Sequence, residues 1–234
     1  MDCLIVDLAH NLAQMKARVH EAAQRAGRDP AVITLLAVSK MQSPQAVCEA
    51  AQAGQQDFGE NYLQEALDKQ IAVANPALIW HFIGPIQSNK TRAIAENFAW
   101  VHSVDRLKIA QRLSAQRPES APPLNVCIEV NISGEGSKSG VLPEALVALA
   151  EQVAALSQLR LRGLMAIPAP TSDMQQQRQV FARLHALFDA LNQRGLNLDT
   201  LSMGMSNDME AAIAEGATIV RIGTAIFGAR PALK

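Results

Sequence analysis

The feature that most constrains the fold of this chain is a regular alternation of short apolar runs with stretches of helical periodicity. Residues 33–39, ITLLAVS, lack the alternation of a half-exposed strand, which is typical of a parallel strand covered on both faces. Between such runs apolar residues recur at helical spacing, as from Val180 to Leu191. The predicted strands lie at 33–39, 56–58, 79–83, 99–102, 124–130, 161–167, 199–203 and 217–222.

This alternation predicts an α/β protein: a single (β/α)8 TIM barrel domain over residues 1–234 with an extra N-terminal helix. The apolar stripe of that helix runs from Leu4 to Val19. About eight strand–helix units follow, the number that such a barrel uses, and its usual length is about 250 residues. A doubly wound open sheet is the alternative. Both folds place functional groups at the carboxyl ends of the strands.

The composition narrows the classes of protein to which the chain can belong. A formal net charge of -1 gives no basic surface of the kind that binds nucleic acid. No apolar stretch approaches the roughly 20 residues of a membrane helix, and the N-terminus is unlike a signal peptide. Cys3, Cys48 and Cys127 are odd in number and widely spaced, which fits a reducing compartment. We therefore expect a cytoplasmic protein that binds neither nucleic acid nor membranes.

A lysine and an arginine are predicted to reach the mouth of the barrel from neighbouring strands. Because side chains alternate along a strand, Lys40 shares a face with Leu36, and Arg221 shares a face with Gly223. If these faces line the interior, both cations stand at the mouth, on the first and last strands. Either cation alone is explained by a side chain that reaches water. The two together favour an anion site.

Two strand-to-helix turns near the C-terminus are candidates for that anion site. The segment SMGMSNDMEAAIAEG, residues 202–216, places Ser206 and Asn207 at the start of a predicted helix. The segment RIGTAIFG, residues 221–228, places Gly223 and Thr224 in the same way. Helix N-termini bind phosphate readily, and barrels often build a phosphate site from the loops after strands 7 and 8. Ordinary helix capping by these residues is the alternative explanation.

A reactive lysine beside a phosphate site in a barrel predicts either a Schiff-base aldolase or a site for pyridoxal 5′-phosphate (PLP). A lysine must lose its proton to form a Schiff base, and burial beside another cation lowers its pKa. Arg221 is the candidate for that neighbouring charge. The aldolase requires neither an arginine that faces a pyridine ring nor phosphate turns of this form, so PLP is the favoured ligand.

Six motifs spread over nearly the whole chain resemble those of a known family. They are LLAVSK with Lys40, FGENYLQEA, WHFIGPIQSNK, LRGLMAI, LSMGMSNDMEAAI and VRIGTAIFGAR. Together they resemble the pyridoxal phosphate homeostasis protein family, whose fold is similar to the barrel domain of alanine racemase. The resemblance implies a PLP Schiff base on Lys40, phosphate contacts from Ser206, Gly223 and Thr224, Arg221 facing the pyridine nitrogen, and Asn61 near the ring.

The resemblance and the residues together favour a PLP carrier over an enzyme. Arginine keeps its proton, so Arg221 would leave the pyridine unprotonated and the cofactor a weak electron sink. Racemisation also needs a second base, which in alanine racemase is a tyrosine from the β-rich domain of the partner subunit. This chain has one tyrosine, Tyr62, and only a short stretch follows the last predicted strand, so we expect no such domain.

We therefore expect a monomeric protein that carries or buffers PLP in vitamin B6 homeostasis, without robust amino-acid turnover. PLP-requiring apo-enzymes are the candidate recipients. A racemase-like PLP enzyme acting on a small amino acid is the alternative.

Several other polar residues receive no site role from the sequence. His81 is interpreted as a core residue, and the five histidines form no ligand pairs in the sequence, so no metal site is predicted. Lys138, in the loop 131–140, is interpreted as a solvated loop cation. Lys90 fits either the barrel mouth or ordinary surface capping. The functions of these three residues stay open.

Overall fold

Eight parallel strands close into a barrel in the order of the sequence. The computed structural model describes residues 7–134 and 139–229, so Lys138 lies outside the described residues. The first and last strands pair in parallel, with Leu36 opposite Arg221, and this pairing closes the sheet. The predicted TIM barrel is confirmed, and the open doubly wound sheet is wrong. The strands are β1 Thr34–Val38, β2 Asp57–Glu60, β3 Ile79–Phe82, β4 Trp100–Val104, β5 Leu124–Glu129, β6 Leu159–Met165, β7 Thr200–Ser202 and β8 Ile219–Ile222.

Helices follow the strands, and one additional helix precedes them. Within the described residues no helix is both long and apolar enough to cross a membrane. Short 3₁₀ helices cover Pro30–Val32 and Ser88–Lys90. The α-helices of the described residues are α1 Leu8–Arg25, α2 Pro44–Gln52, α3 Leu63–Val73, α4 Thr91–Asn97, α5 Leu107–Gln116, α6 Pro143–Ala154, α7 Met174–Gln193, α8 Met209–Ala214 and α9 Thr224–Phe227.

The extra N-terminal helix packs beside the end of the chain. Helix α1 contacts α8 and α9, and its buried stripe runs from Leu8 to Ala23. Directly after α1, the Arg28 guanidinium donates hydrogen bonds to the carbonyl oxygens of Ile213 and Ala217, at 2.8 and 2.7 Å. These bonds satisfy one carbonyl at the end of α8 and one just before β8. They hold the α8–β8 connection against the segment that follows α1.

The strands are covered on both faces, as the sequence predicts for β1. Leu35 and Ala37 belong to the large core between the barrel and its helices. Leu36 and Val38 belong to a smaller cluster with Ile83 and Ile219, which fills the barrel interior. Because Arg221 is two residues beyond Ile219 on β8, it shares that interior face nearer the carboxyl end.

Candidate functional site

The segment that carries Lys40 is held by side chains from the next strand–helix unit. Lys40 is half-buried, two residues beyond β1. On one side of it, the Ser39 hydroxyl donates to Glu60 Oε1 at 2.6 Å, and the Ser39 carbonyl accepts from Lys69 Nζ at 2.5 Å. On the other side, the Met41 N–H donates to Glu65 Oε1. The backbone on both sides of Lys40 is therefore fixed.

Lys69, Glu60 and Glu65 form the buried ion cluster that makes these contacts. Lys69 lies on α3 and is only 2% exposed. Its ammonium donates to Glu60 Oε1 at 2.8 Å and Glu65 Oε1 at 2.5 Å as well as to Ser39, which uses all three N–H groups. Burial raises the pKa of Glu60, while Lys69 acts to lower it. Pairing of this kind is what makes a buried ammonium tolerable.

Met41 has a backbone conformation that requires such support. Its φ is 62°, in the left-handed region that residues with a Cβ rarely adopt. A left-handed conformation costs a non-glycine residue roughly 1–2 kcal/mol. The hydrogen bond from its N–H to Glu65 helps to hold it there. Strained backbone of this type persists where the surrounding contacts over-determine it, and it often accompanies a functional residue.

Arg221 is buried in the barrel interior and anchored by two neighbouring strands. It is 4% exposed. Its Nη1 donates to the Ser202 carbonyl at 2.6 Å and to Ser202 Oγ at 2.9 Å, and its Nη2 donates to the Ala166 carbonyl at 2.9 Å. Since a guanidinium carries five N–H donors, these three bonds leave the Nε–H and one Nη2–H for another acceptor.

Arg221 keeps its charge despite its burial. Desolvation lowers the pKa of Arg221 to about 10, while the negative charges of Asp208 and Glu129 act to raise it. The guanidinium is therefore protonated at neutral pH and acts only as a donor.

The turn after β7 lies against β8, next to Arg221. The Arg221 N–H donates to the Gly204 carbonyl at 2.9 Å, which joins the two segments. Ser206 is half-buried in this turn. The prediction that Ser206 and Asn207 begin the following helix is wrong by two residues. Helix α8 begins at Met209, and its N-cap residue Asp208 makes no side-chain capping bond because its carboxylate accepts from the Met205 N–H instead.

The turn after β8 agrees with the prediction. Gly223 is the N-cap residue of α9, Thr224 is its first residue, and no side chain caps this helix start. A Cβ on Gly223 would lie 3.3 Å from the Val38 carbonyl oxygen, so glycine allows a close approach to the end of β1. The ends of β7, β8 and β1, with Ser206, Gly223 and Lys40, therefore meet on one side of the barrel mouth.

A cavity of about 220 Å³ opens at the carboxyl end of the barrel. Of the predicted site residues, Asn61 lines it. Asn61 Oδ1 is buried and makes no hydrogen bond within the described residues. Ile83 and Glu129 also line the cavity. Ile83 belongs to the interior apolar cluster, and Glu129 interacts electrostatically with Arg221.

Comparison with known proteins identifies the family. Residues 8–231 match the model of the alanine racemase N-terminal domain. The chain is 67% identical over 223 residues to the pyridoxal phosphate homeostasis protein of Pseudomonas aeruginosa, with 95% of this chain and 96% of that protein covered. The chain belongs to the pyridoxal phosphate homeostasis protein family. The family predicted from the sequence motifs is therefore confirmed.

Solved structures of similar proteins agree with this fold. PipY of Synechococcus elongatus, solved with PLP bound, is 36% identical with a TM-score of 0.83, and the alignment covers 95% of this chain and 100% of that one. Alanine racemase of Corynebacterium glutamicum is 21% identical with a TM-score of 0.68, over 97% of this chain and 62% of that one. The second likeness shows that this family member shares the barrel of alanine racemase.

The only tyrosine of this family member is not buried in the barrel. Tyr62 is 54% exposed and lies at the N-cap position of α3 without capping it through its side chain. It follows Asn61, which lines the cavity.

Sequence reasoning missed two features of this family member. Lys69 was given no site role, because a lysine on an amphipathic helix ordinarily faces water. His81 is buried, in agreement with its interpretation as a core residue, but its contact with His102 was not predicted: His81 Nδ1 lies 3.0 Å from Nε2 of His102 on the next strand. The contact between the two histidines does not make a metal site, because no group of three metal-ligating side chains is found within the described residues. His81 alternates with the apolar residues Trp80 and Phe82, and this alternation, applied to both β3 and β4, was the signal that could have placed His81 and His102 side by side on the interior face.

Glu129 has the environment of a carboxylic acid that holds its proton at a higher pH than an ordinary glutamate. It is 8% exposed and lines the cavity. Burial raises the pKa of Glu129 to about 7, Asp105 adds to this effect, and Arg221 opposes it. The folded protein therefore binds a proton here at pH values where the unfolded chain does not.

This shift predicts a pH-dependent stability that Glu129→Gln removes. Because the pKa of Glu129 is raised from 4.5 to about 7, its contribution favours the folded state at low pH and is lost as the pH rises between these values. The expected contribution is about 3 kcal/mol at one pKa unit per 1.36 kcal/mol. Urea unfolding at pH 5 and pH 8 measures the free energy of unfolding of both proteins. From pH 5 to pH 8 the free energy of unfolding should fall more for the wild-type protein than for Glu129→Gln. An equal fall in the two proteins would refute the raised pKa of Glu129.

Proposed function

We propose that this chain binds PLP as a Schiff base on Lys40 and carries or buffers it, without robust amino-acid turnover. The observation that carries the proposal is the meeting of Lys40, Arg221 and two helix starts without side-chain caps at one barrel mouth. Relatives named for pyridoxal phosphate homeostasis, and a similar structure with PLP bound, support the ligand.

The two turns fit a phosphate group. Helix starts without side-chain caps leave backbone N–H groups available, and the positive end of the helix dipole favours an anion. The hydroxyls of Ser206 and Thr224 add donors, and Gly223 allows the phosphate to approach the backbone. We assign Ser206, Gly223 and Thr224 to the phosphate.

Arg221 and Asn61 fit the pyridine ring. The donors of Arg221 that Ser202 and Ala166 do not use can bind a ring nitrogen that carries a lone pair. Asn61 contributes a buried amide oxygen that has no hydrogen bond within the described residues, and this oxygen suits a donor on the ligand.

Lys40 supplies the covalent bond. Its uncharged amine attacks the aldehyde carbon of PLP, a C=N bond replaces the C=O bond, and the oxygen leaves as water. The contacts of Ser39 and Met41 with the Lys69 cluster fix the backbone from which this amine extends.

The same residues argue for carriage over catalysis. When bound, PLP supplies an electron sink whose strength depends on protonation of its ring nitrogen. Arg221 donates a hydrogen bond and retains its own proton, so the sink stays weak. The exposed Tyr62 does not provide a buried second base. We further propose a single-domain, monomeric, cytoplasmic protein that releases PLP to apo-enzymes.

The proposal predicts that Lys40→Ala abolishes covalent binding. The wild-type protein with PLP should show a visible absorbance band that borohydride removes, and Lys40→Ala should lack this band. The Kd for PLP should rise at least about tenfold, which corresponds to 1.4 kcal/mol. Lys16→Ala is the matched control, because Lys16 is exposed and lines a cleft at the opposite end of the barrel. A band that survives in Lys40→Ala would contradict the assignment.

A racemase-like PLP enzyme is the alternative function. The two functions differ in whether the PLP-loaded protein racemises a small amino acid or activates an added PLP-requiring apo-enzyme. Activation of the apo-enzyme without racemisation supports the carrier, and racemisation at ordinary enzyme rates refutes it.

A further inference from the structure

A continuous chain of polar side chains runs through the barrel interior and ends at Arg221. Asp57 Oδ1 lies 3.0 Å from His81 Nε2, and His81 Nδ1 lies 3.0 Å from His102 Nε2. His102 Nδ1 lies 2.8 Å from Ser202 Oγ, which accepts from Arg221 Nη1 at 2.9 Å. The chain thus connects β2, β3, β4, β7 and β8 across the barrel.

The Asp57 carboxylate fixes the direction of the hydrogen bonds along this chain when both histidines are neutral, because it can only accept from His81. Arg221 can only donate, so Ser202 Oγ accepts from it and its single O–H is free to donate to His102 Nδ1. His102 then carries its proton on Nε2 and donates to His81 Nδ1. His81 in turn carries its proton on Nε2 and donates to Asp57, whose carboxylate only accepts.

This arrangement requires two neutral histidines, and their surroundings favour that state. Both side chains are fully buried, or nearly so, at 1% and 0% exposed for His81 and His102. Burial lowers the pKa of His81, and burial, with the neighbouring His81 and Arg221 adding to the effect, lowers the pKa of His102 well below its usual value. If His102 instead donated to Ser202 Oγ, either two unprotonated nitrogens would face each other between His81 and His102, or Asp57 would be left without a donor, unless a further proton entered.

We propose that His102 and Ser202 are positioning residues that hold Arg221 in one hydrogen-bonding arrangement toward the ring nitrogen of PLP, with His81 and Asp57 setting the direction of the chain. This inference rests on the proposed function, because it takes the remaining Arg221 donors as the contact to the ring. The carbonyl and the hydroxyl of Ser202 accept both hydrogen bonds from Arg221 Nη1. The Nε–H and one Nη2–H of Arg221 are thereby oriented toward the ligand. His102 acts on the ligand only through Ser202.

The test uses PLP labelled with ¹⁵N at its ring nitrogen, bound to the full-length protein, with the ¹⁵N chemical shift as the readout. His102→Phe keeps an aromatic ring but removes the acceptor for the Ser202 hydroxyl. We expect it to shift the ring-nitrogen resonance and to raise the Kd for PLP about tenfold. His102→Asn offers an amide oxygen near the position of Nδ1 and should restore both values. His185→Phe, on the outer helix α7, is the control.

Two further variants keep the inference testable if His102→Phe does not fold. Ser202→Ala removes the link to Arg221, and Asp57→Asn removes the acceptor that sets the direction of the chain. Both should shift the resonance in the same sense as His102→Phe, with the smaller effect for Asp57→Asn. A loss of thermal stability with unchanged resonance and affinity in the folded variants would overturn the inference. Failure of the proposed function is distinguishable, because the wild-type protein itself would then bind no PLP.

Discussion

Replacing Lys69 by methionine is expected to destabilise the protein by about 3–5 kcal/mol, the cost of breaking a buried ion pair from one side. The variant leaves Glu60 and Glu65 without the ammonium to which both are bonded, and the side chain of Glu60 is fully buried. It also removes the donor to the Ser39 carbonyl, next to Lys40. Urea unfolding measures the loss of stability.

The same variant is expected to weaken covalent attachment of PLP more than reversible binding. Because the Lys69 cluster holds Ser39 and Met41, its loss frees the backbone of Lys40. Binding of PLP should therefore weaken more than binding of pyridoxine 5′-phosphate, which has no aldehyde. The double variant Glu60→Leu/Lys69→Met should recover stability without recovering this difference.

Lys108→Met is the matched control, since Lys108 is exposed on α5. It should leave both the stability and the two affinities unchanged. If Lys69→Met lost the same affinity for PLP as for pyridoxine 5′-phosphate, the Lys69 cluster would not position Lys40. Its role would then be to stabilise the fold only.

Replacing Gly163 by alanine is expected to separate β6 from β7. A Cβ at this position would lie 1.7 Å from the carbonyl oxygen of Thr200, its partner on β7, so the two strands cannot keep their present spacing. Overpacking of this kind costs roughly 1–3 kcal/mol and sometimes more, and a clash with backbone belongs at the upper end. The melting temperature should fall by about 6–12 °C if each kcal/mol lowers it by 2–4 °C.

The Gly163→Ala variant should also loosen Arg221. The guanidinium is anchored to the Ala166 carbonyl after β6 and to Ser202 on β7, so its position depends on the spacing of these strands. Thermal unfolding and PLP titration measure the two effects. Gly195→Ala is the control, because Gly195 has a φ of 86° but no atom within 4 Å of the added Cβ. Its cost should be limited to the roughly 1–2 kcal/mol of a left-handed alanine, with PLP affinity unchanged.

The number and order of the strands could be predicted because the middle of each parallel strand is apolar. The ends of some strands could not be predicted. The second strand was predicted at 56–58, whereas β2 continues to Glu60. Gly59 fits there because a Cβ would lie 3.2 Å from Leu36 and Ile83, and Glu60 is buried because Lys69 pairs with it. The fourth strand was predicted to end at 102, yet β4 runs to Val104. Polar strand residues of this kind depend on partners distant in sequence.

The same reason explains the error at α8. Glu210 has the spacing of a capping-box residue relative to Asn207, and this local pattern favours a helix start at Asn207. In the structure the Glu210 carboxylate binds Arg18 of α1 at 2.6 Å, and Asp208 occupies the N-cap position. A contact between residues 18 and 210 follows from the packing of α1 on α8, which the local pattern does not contain.

The site was predictable where strand alternation determines it. Alternation along β8 places Arg221 in the interior, and the end of β1 places Lys40 at the mouth. Alternation says nothing about which helix residues turn inward, so Lys69 was not found. Nor does a local pattern pair His81 with His102, although both lie on interior faces that alternation defines.

The measurement that tests the account most directly is the site of covalent attachment. The protein is loaded with PLP, reduced with borohydride, digested and mapped by mass spectrometry. We predict one reduced cofactor per chain, attached to the peptide that contains Lys40, and no attachment in Lys40→Ala. Attachment at another lysine with Lys40 unmodified, or no attachment to a protein that binds PLP, would contradict the central claim.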